Sequence, residues 1–282
     1  MNERLFLRLD GDELHGPEAH MPPGTLRACP VAAPLHPFVS HILAYREIIP
    51  AGSEILERVL PDGALRLIVE FGDAPTVQVL GASAAPVLLR LQGRLEGLSL
   101  TLRPGAAPAL LGLPAGELTG QVLPLDSLWR GAGAELNERL FAASGEAARL
   151  TMLQAFLQQR LPDRTINDRP AVMQALQLIG RSEGRRPLRE IAAALGVGER
   201  RLQQLFQLEV GLSPRAWGRL ARLQACLRRL RMLGATPGWV DLALDSGFYD
   251  QAHLAREFRS LCGLSPTEFL ACAVSGSSKT GS

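Results

Sequence analysis

The stretch ALDSGFYDQAHLAREFRSLCGLSP, residues 243–266, has a weaker copy of itself upstream. Leu254, Phe258, Gly263, Leu264, Ser265 and Pro266 repeat Leu202, Phe206, Gly211, Leu212, Ser213 and Pro214 at an offset of 52. Ala243 and Gly247 repeat Ala192 and Gly196 at an offset of 51, so the second copy carries one extra residue in its turn. Six matches in one register mark an internal duplication, and each copy reads as one supersecondary unit.

Each unit has the pattern of two helices joined by a tight turn. In the first, Leu188, Ile191, Ala192 and Leu195 form the apolar stripe of a short helix. Gly196 ends it, as a glycine at positive φ can. The spacing predicts a second helix over 199–209, with Leu202, Leu205 and Phe206 inward and Arg200, Gln203, Gln204 and Gln207 outward. In the second unit, Thr236-Pro237 opens a helix in the cap-then-proline manner. Val240, Leu242, Ala243 and Leu244 supply its apolar positions, and Gly247 ends it. Asp250 caps the next helix, which turns Leu254, Phe258 and Leu261 inward and leaves Gln251, Ala252, Ala255, Arg256 and Arg259 outward. Between the units, Ser213-Pro214 starts a long helix reaching about Leu233, with Leu220, Leu223, Leu227 and Leu230 on one face. Ser265-Pro266-Thr267-Glu268 is a capping box with proline at the first helical position.

The outward chemistry suits a DNA groove. Arginine reads guanine and glutamine reads adenine through paired hydrogen bonds, and small residues allow approach to a thymine methyl. For one such helix a solvated face is an equally good account; two in a duplicated frame favour DNA. Two recognition helices ~34 Å apart enter successive major grooves on one face of the duplex. Arg215, Arg219, Arg222, Arg228, Arg229 and Arg231 on the joining helix either contact phosphates or are solvated, and the plainer reading is preferred for most.

The rest of the chain has a different texture. Leu65, Leu67, Val69 and Phe71 alternate at period two, as do Leu98, Leu100 and Leu102. Val77-Gln78-Val79 and Val87-Leu88-Leu89 are further short strands among frequent Gly and Pro turns, the pattern of a small barrel or sandwich. From about 132 the period becomes helical, with two helices broken near Ser144-Gly145. The fold class is therefore α+β in two domains. Residues 1–165 form a β-rich barrel with following helices, and 166–274 an all-α domain of two helix-turn-helix units; 161–170 is the linker, and the Ser/Gly-rich 275–282 is expected to be a disordered tail.

Charge divides along the same line. Residues 166–282 hold 16 Lys+Arg and 10 Asp+Glu, a net +6; residues 1–165 hold 14 and 18, a net −4, and the two sum to the chain's +2. A basic C-terminal part beside an acidic N-terminal one fits a polyanionic partner for the former. No run of about 20 apolar residues is present, so no membrane span is expected. With its early acids and no long apolar core, the N-terminus is not expected to be a secretory signal. Cys29, Cys226, Cys262 and Cys272 form no CxxC pair, as expected in a reducing cytoplasm. Cys29 is expected in a loop, where a reactive thiol is a minor alternative to an inert one. His15, His20, His36, His41 and His253 lack metal-ligand spacing, and no phosphate loop, dinucleotide fingerprint or nucleophile elbow occurs, so neither cofactor, metal nor enzymatic activity is expected. Arg66, Glu70 and Arg103 either line a polar pocket or pair on a sheet surface, the second being the better account.

Over roughly 170–272 the chain resembles the AraC/XylS family of transcription regulators. The residues that carry this are Ile191-Ala192-Ala193-Ala194-Leu195-Gly196, Leu202-Gln203-Gln204-Leu205-Phe206 and Gly211-Leu212-Ser213-Pro214. In the second unit they are Ala243, Gly247-Phe248, Asp250-Gln251-Ala252-His253-Leu254, Arg256, Phe258 and Gly263-Leu264-Ser265-Pro266. The resemblance implies base contacts from Arg200, Gln203 and Gln204, and from Gln251, Ala252, His253 and Arg256. With the outward faces added, the candidate DNA-binding set is Arg200, Arg201, Gln203, Gln204 and Gln207, then Gln251, Ala252, His253, Ala255, Arg256 and Arg259. Two departures stand out: Gln204 where the family usually has arginine, and Gly198 where it often has a Ser or Thr cap. His36-Pro37-Phe38-Val39, Leu60-Pro61-Asp62-Gly63 and Leu102-Arg103-Pro104-Gly105-Ala106 resemble the β-rich sensor domain that precedes such modules. That implies a cupin-like barrel holding a small-molecule effector, and an activator that touches RNA polymerase. An enzymatic barrel or a ligand-free dimerisation scaffold are the alternatives. The helices over 134–161 either carry a homodimer interface or close the barrel.

Overall fold

The computed structural model of the chain describes residues 3–7, 22, 24–72, 75–161, 170–233 and 238–277. Among these residues are nine strands: β1 (Glu3–Phe6), β2 (Leu26–Cys29), β3 (Val39–Ile48), β4 (Ile55–Val59), β5 (Leu65–Glu70), β6 (Thr76–Leu80), β7 (Val87–Leu91), β8 (Arg94–Leu102) and β9 (Val122–Pro124). Around and after the last lie α1 (Ala106–Leu110), α2 (Leu125–Leu128), α3 (Ala132–Ala142) and α4 (Glu146–Gln158). The C-terminal part holds α5 (Pro170–Arg181), α6 (Leu188–Ala194), α7 (Glu199–Glu209), α8 (Pro214–Leu233), α9 (Trp239–Asp245), α10 (Gln251–Cys262) and α11 (Pro266–Ser277).

The strands make a six-stranded antiparallel sheet, order β2-β3-β8-β5-β6-β9, and a three-stranded sheet, order β1-β4-β7. Alternation decides how the larger sheet packs. Leu65, Leu67 and Val69 of β5 and Leu98, Leu100 and Leu102 of β8 are buried on one face, against Leu110, Leu136, Leu140, Leu153, Phe156 and Leu157 of the helices that follow. No described strand pairs one sheet with the other, so the β-rich region is two sheets and not the closed barrel expected. An ion triad spans them. Arg4 of β1 meets Glu57 of β4 at 2.5 Å and Glu47 of β3 at 2.8 Å, with all three side chains about nine-tenths buried. Burial pushes the Glu57 carboxyl above its usual range, against the pull of Arg4. Breaking a buried pair by removing one partner strands the other charge, so losing one member of this triad costs more than the intact triad adds in net stability.

The domain division is less clean than the sequence indicates. One core unites Val172, Ile179, Ile191, Leu202, Phe206, Leu223, Leu254 and Phe258 of the helical part with Leu5 of β1, Leu7 and Leu60 just after β1 and β4, and Ala82 in the segment after β6. Leu5 and Leu7 point away from Arg4 by the alternation of a strand, so the small sheet turns its apolar side to the helices. Three further differences follow from local chemistry. Cys29 ends β2 and is buried, not in an open loop. Helix α11 runs through Ser277, three residues into the expected tail, since a nucleated helix propagates cheaply. The linker residues 162–169, the Thr236-Pro237 helix start, His15, His20 and residues 278–282 lie outside the described residues.

Candidate nucleic-acid interface

The two units repeat in bond pattern as well as in sequence. Gly196 (φ 65°) ends α6 and Gly247 (φ 76°) ends α9 in the left-handed region. The next amide then reaches back, Val197 N–H to Ala192 O at 3.1 Å and Phe248 N–H to Ala243 O at 2.8 Å. This is the helix-ending bond that only a residue without Cβ strain allows cheaply. The turns deliver α7 and α10 at matching positions, and buried Leu202 and Phe206, like Leu254 and Phe258, fix which face of each helix turns inward.

The starts of the two helices differ. Asp250 accepts the His253 amide at 2.6 Å and so caps α10, while Gly198 gives α7 no side-chain cap. Asp250→Ala should lower stability by about 0.5–2 kcal/mol, read as a urea midpoint. Gly198→Ser, which supplies the missing cap, should instead raise stability by a few tenths of a kcal/mol.

Arg200, Arg201, Gln203, Gln204 and Gln207 are all exposed on α7, and Gln251, Ala252, Arg256 and Arg259 are exposed on α10. Ala255 and His253 are half-buried. Gln207 lies beside the N-terminal domain, where a Cβ at Gly116 would stand 2.9 Å from its Oε1. His253 is turned into its own unit: its ring packs edge-on against Phe248 at 5.5 Å, and its Nδ1 accepts the Tyr249 amide at 3.2 Å. Tyr249, 86% exposed beside the Asp250 cap, was not singled out in the sequence; its place in the turn before α10 was the available signal. Val240 and Leu244 are exposed, against expectation. Helix α9 begins at Trp239, so its inner stripe is Trp239, Leu242, Ala243 and Ser246, and Val240 and Leu244 fall on the other side.

The arginines of α8 sort into classes. Arg219 pairs with Glu257 of α10 at 2.7 Å and donates to Ser260. Arg222 donates to Gly184 O at 2.8 Å and lies over the Phe248 ring. Arg229 pairs with Glu183 at 2.6 Å. These three bind the helical units to α8 and are neither simply solvated nor set aside for phosphate, whereas Arg215 and Arg228 are exposed. The Arg229 hydrogen bond, helped by Arg185, holds the Glu183 carboxyl below its usual range. A carboxylate lowered in this way stabilises the fold above its unfolded pKa of about 4.3, and the contribution fades as pH falls through the folded value. Glu183→Gln should therefore be slightly less stable than wild type at pH 7, and the gap should close in acid, measured by urea unfolding against pH.

A cavity of about 410 Å³ lies between the domains. Its walls come from the large sheet and the segment after it (His41, Thr101, Arg103) and from α5 and α8 (Gln177, Trp217, Arg228). This size suits a small molecule, and mixed polar and apolar walls are usual for such sites. Arg103 is steadied by donating to His36 O at 2.9 Å, whereas Arg66 pairs with Asp62. Burial and the neighbouring Glu70 push the Tyr45 phenol well up. Among the described residues no cluster of three His, Cys, Asp or Glu could hold a metal, and no helix is long and apolar enough to cross a membrane.

Residues 191–271 match a family described as a helix-turn-helix domain, and residues 27–124 match a domain of unknown function, DUF6597. No curated protein matches the chain. Among solved structures, ToxT from Vibrio cholerae at 1.65 Å is 14% identical, with a TM-score of 0.38 over 82% of this chain and 97% of that one. ToxT from strain SCE256 with an unsaturated fatty acid bound is 12% identical, with a TM-score of 0.38 over 81% and 94%. Overall similarity at these values is low.

Proposed function

From a C-terminal helix-turn-helix domain of the AraC type, we propose that the chain is a sequence-specific DNA-binding regulator of transcription. The observation that carries this is the duplication itself: two helix-turn-helix units in one frame, each presenting a polar, arginine- and glutamine-bearing face to solvent. Base reading falls to Arg200, Gln203 and Gln204 on α7 and to Gln251, Ala252 and Arg256 on α10. Arg201 and Arg259 sit at the edges of those faces, where phosphate contact is the natural role. His253 shapes the turn, and Tyr249 joins the interface. The regulator works in the cytoplasm, where the DNA is, with contact to RNA polymerase and activation as the mode of action. It performs no catalytic step.

The effector is a small molecule, and the cavity between the domains is its site, in place of the barrel interior expected from sequence. Its walls belong to both domains, so an occupant there has differential contacts with any arrangement of the two, which is what a switching ligand requires. A thermal-shift screen of metabolites tests this: a binder raises the melting temperature through its preference for the folded state, and Trp217→Ala, which removes a wall, should abolish the shift. A shift that persists in that variant would place the ligand elsewhere.

For DNA binding the test is enrichment of duplexes from a random library by the full chain. One recurrent motif in two parts is expected, with affinity falling steeply as salt rises because phosphate contacts release counterions. Recovery of random sequence would remove the base-reading role.

A further inference from the structure

The last carbonyls of a helix have no partners within it and take donors from elsewhere. At the ends of α7 and α10 some donors come from the following turn, as when the Gly263 amide donates to Arg259 O, and others come from the N-terminal domain. At the end of α7, the Gly105 amide donates to Glu209 O at 2.7 Å, and the Thr119 hydroxyl donates to Gly211 O at 2.5 Å. At the end of α10, Arg58 of β4 donates through Nη1 to Cys262 O at 3.3 Å, while its Nε pairs with Glu3 of β1. A cation at a helix C-terminus also meets the negative end of the helix dipole. The grips bracket one point of the duplication: Glu209 and Gly211 flank Val210, whose counterpart 52 residues later is Cys262.

The fit around both grips is close. A Cβ at Gly211 would stand 2.9 Å from Ala115 O, and one at Gly263 would stand 2.4 Å from Arg58 Nη1. Glu209, Val210 and Leu212 are buried at the first grip and Cys262 at the second. The grips come from different parts of the N-terminal domain, Arg58 from the small sheet and Gly105 and Thr119 from the segment between β8 and β9. The N-terminal domain thus spans the gap between the two helix ends.

We propose that the N-terminal domain is a second brace, parallel to α8, which grips both recognition helices by their C-terminal ends and so sets the spacing between half-sites that the full chain accepts. Arg58 and Thr119 are the positioning residues. The inference rests on the DNA-reading function proposed above and adds to it a role for the other domain that needs no effector.

The test uses the full chain and the duplex it enriches from random DNA, together with versions carrying one base pair more or fewer between the half-sites. For wild type the altered spacing should cost about tenfold or more in affinity, comparable to a mismatched base pair. In Arg58→Gln/Thr119→Val the penalty should shrink to about threefold or less, because either helix can then follow its groove. Thr119→Val alone, a near-isosteric change, should show part of the effect even if the double variant folds poorly, and Thr119→Ser should restore the wild-type penalty. A merely stabilising role would lower the melting temperature and leave the spacing penalty unchanged, and that result overturns the brace. If no duplex is enriched at all, the DNA-reading function falls, and the brace with it.

Discussion

Arg256→Ala should weaken binding to the enriched duplex by about 1–3 kcal/mol and should do so at one base position, where the variant no longer distinguishes guanine from its alternatives. The size follows from the setting. Helix α10 is held by buried Leu254, Phe258 and Leu261 and capped by Asp250, so its outer face is preset before DNA arrives. Arg256 is exposed there, with the small Ala252 and Ala255 beside it to let the helix approach. Competition against duplexes substituted at each position checks it. An equal loss on every sequence would make Arg256 a phosphate contact, and no loss would take α10 out of the groove.

The largest effect on stability is expected from Phe258→Ala. Phe258 is fully buried and meets Phe269 of α11 edge to face, with ring centroids 5.7 Å apart. Truncating such a ring costs about 3–5 kcal/mol, through lost burial and the cavity left behind. That is a large share of the 5–15 kcal/mol by which domains are usually stable. Phe206, its counterpart in the first unit, is equally buried, and Phe206→Ala should cost a similar amount. Because these residues belong to the core shared with Leu5 of the small sheet and Leu60 just after β4, denaturant unfolding of either variant should also loosen the N-terminal domain. A cost near 1 kcal/mol, or a loss confined to one unit, would contradict the shared core.

The helical half was legible because its signals are local and come twice. Glycine at a helix end, Ser-Pro at a helix start and apolar residues at spacings of three and four place α7 over 199–209 and α8 from 214, where the structure has them. The capping box over 265–268 forms as read, with the Ser265 amide donating to Glu268 Oε2 at 2.6 Å. The β-rich half was legible where alternation is clean, as in β5 and β8, and less so in β3, which reads VSHILAYREI and shifts register between Val39 and His41. Closure into a barrel could not be read at all, since it depends on pairing between strands far apart in sequence. The inward turn of His253 was hidden for a related reason: the resemblance that put it among the base contacts says nothing of the Phe248 ring that the preceding turn places beside it. The contacts between domains were equally out of reach. Thr119 and Arg58 have no local signal as helix caps, because the helix ends they serve lie 92 and 204 residues away.

The central claim is that α7 and α10 occupy neighbouring major grooves at once. Hydroxyl-radical footprinting of the full chain on its enriched duplex, paired with methylation of guanine N7, tests this most directly. Two protected patches on one face of the duplex, about 10 base pairs apart, each sensitive to N7 methylation, are predicted. A single patch, or protection that ignores the methyl groups, would contradict the account.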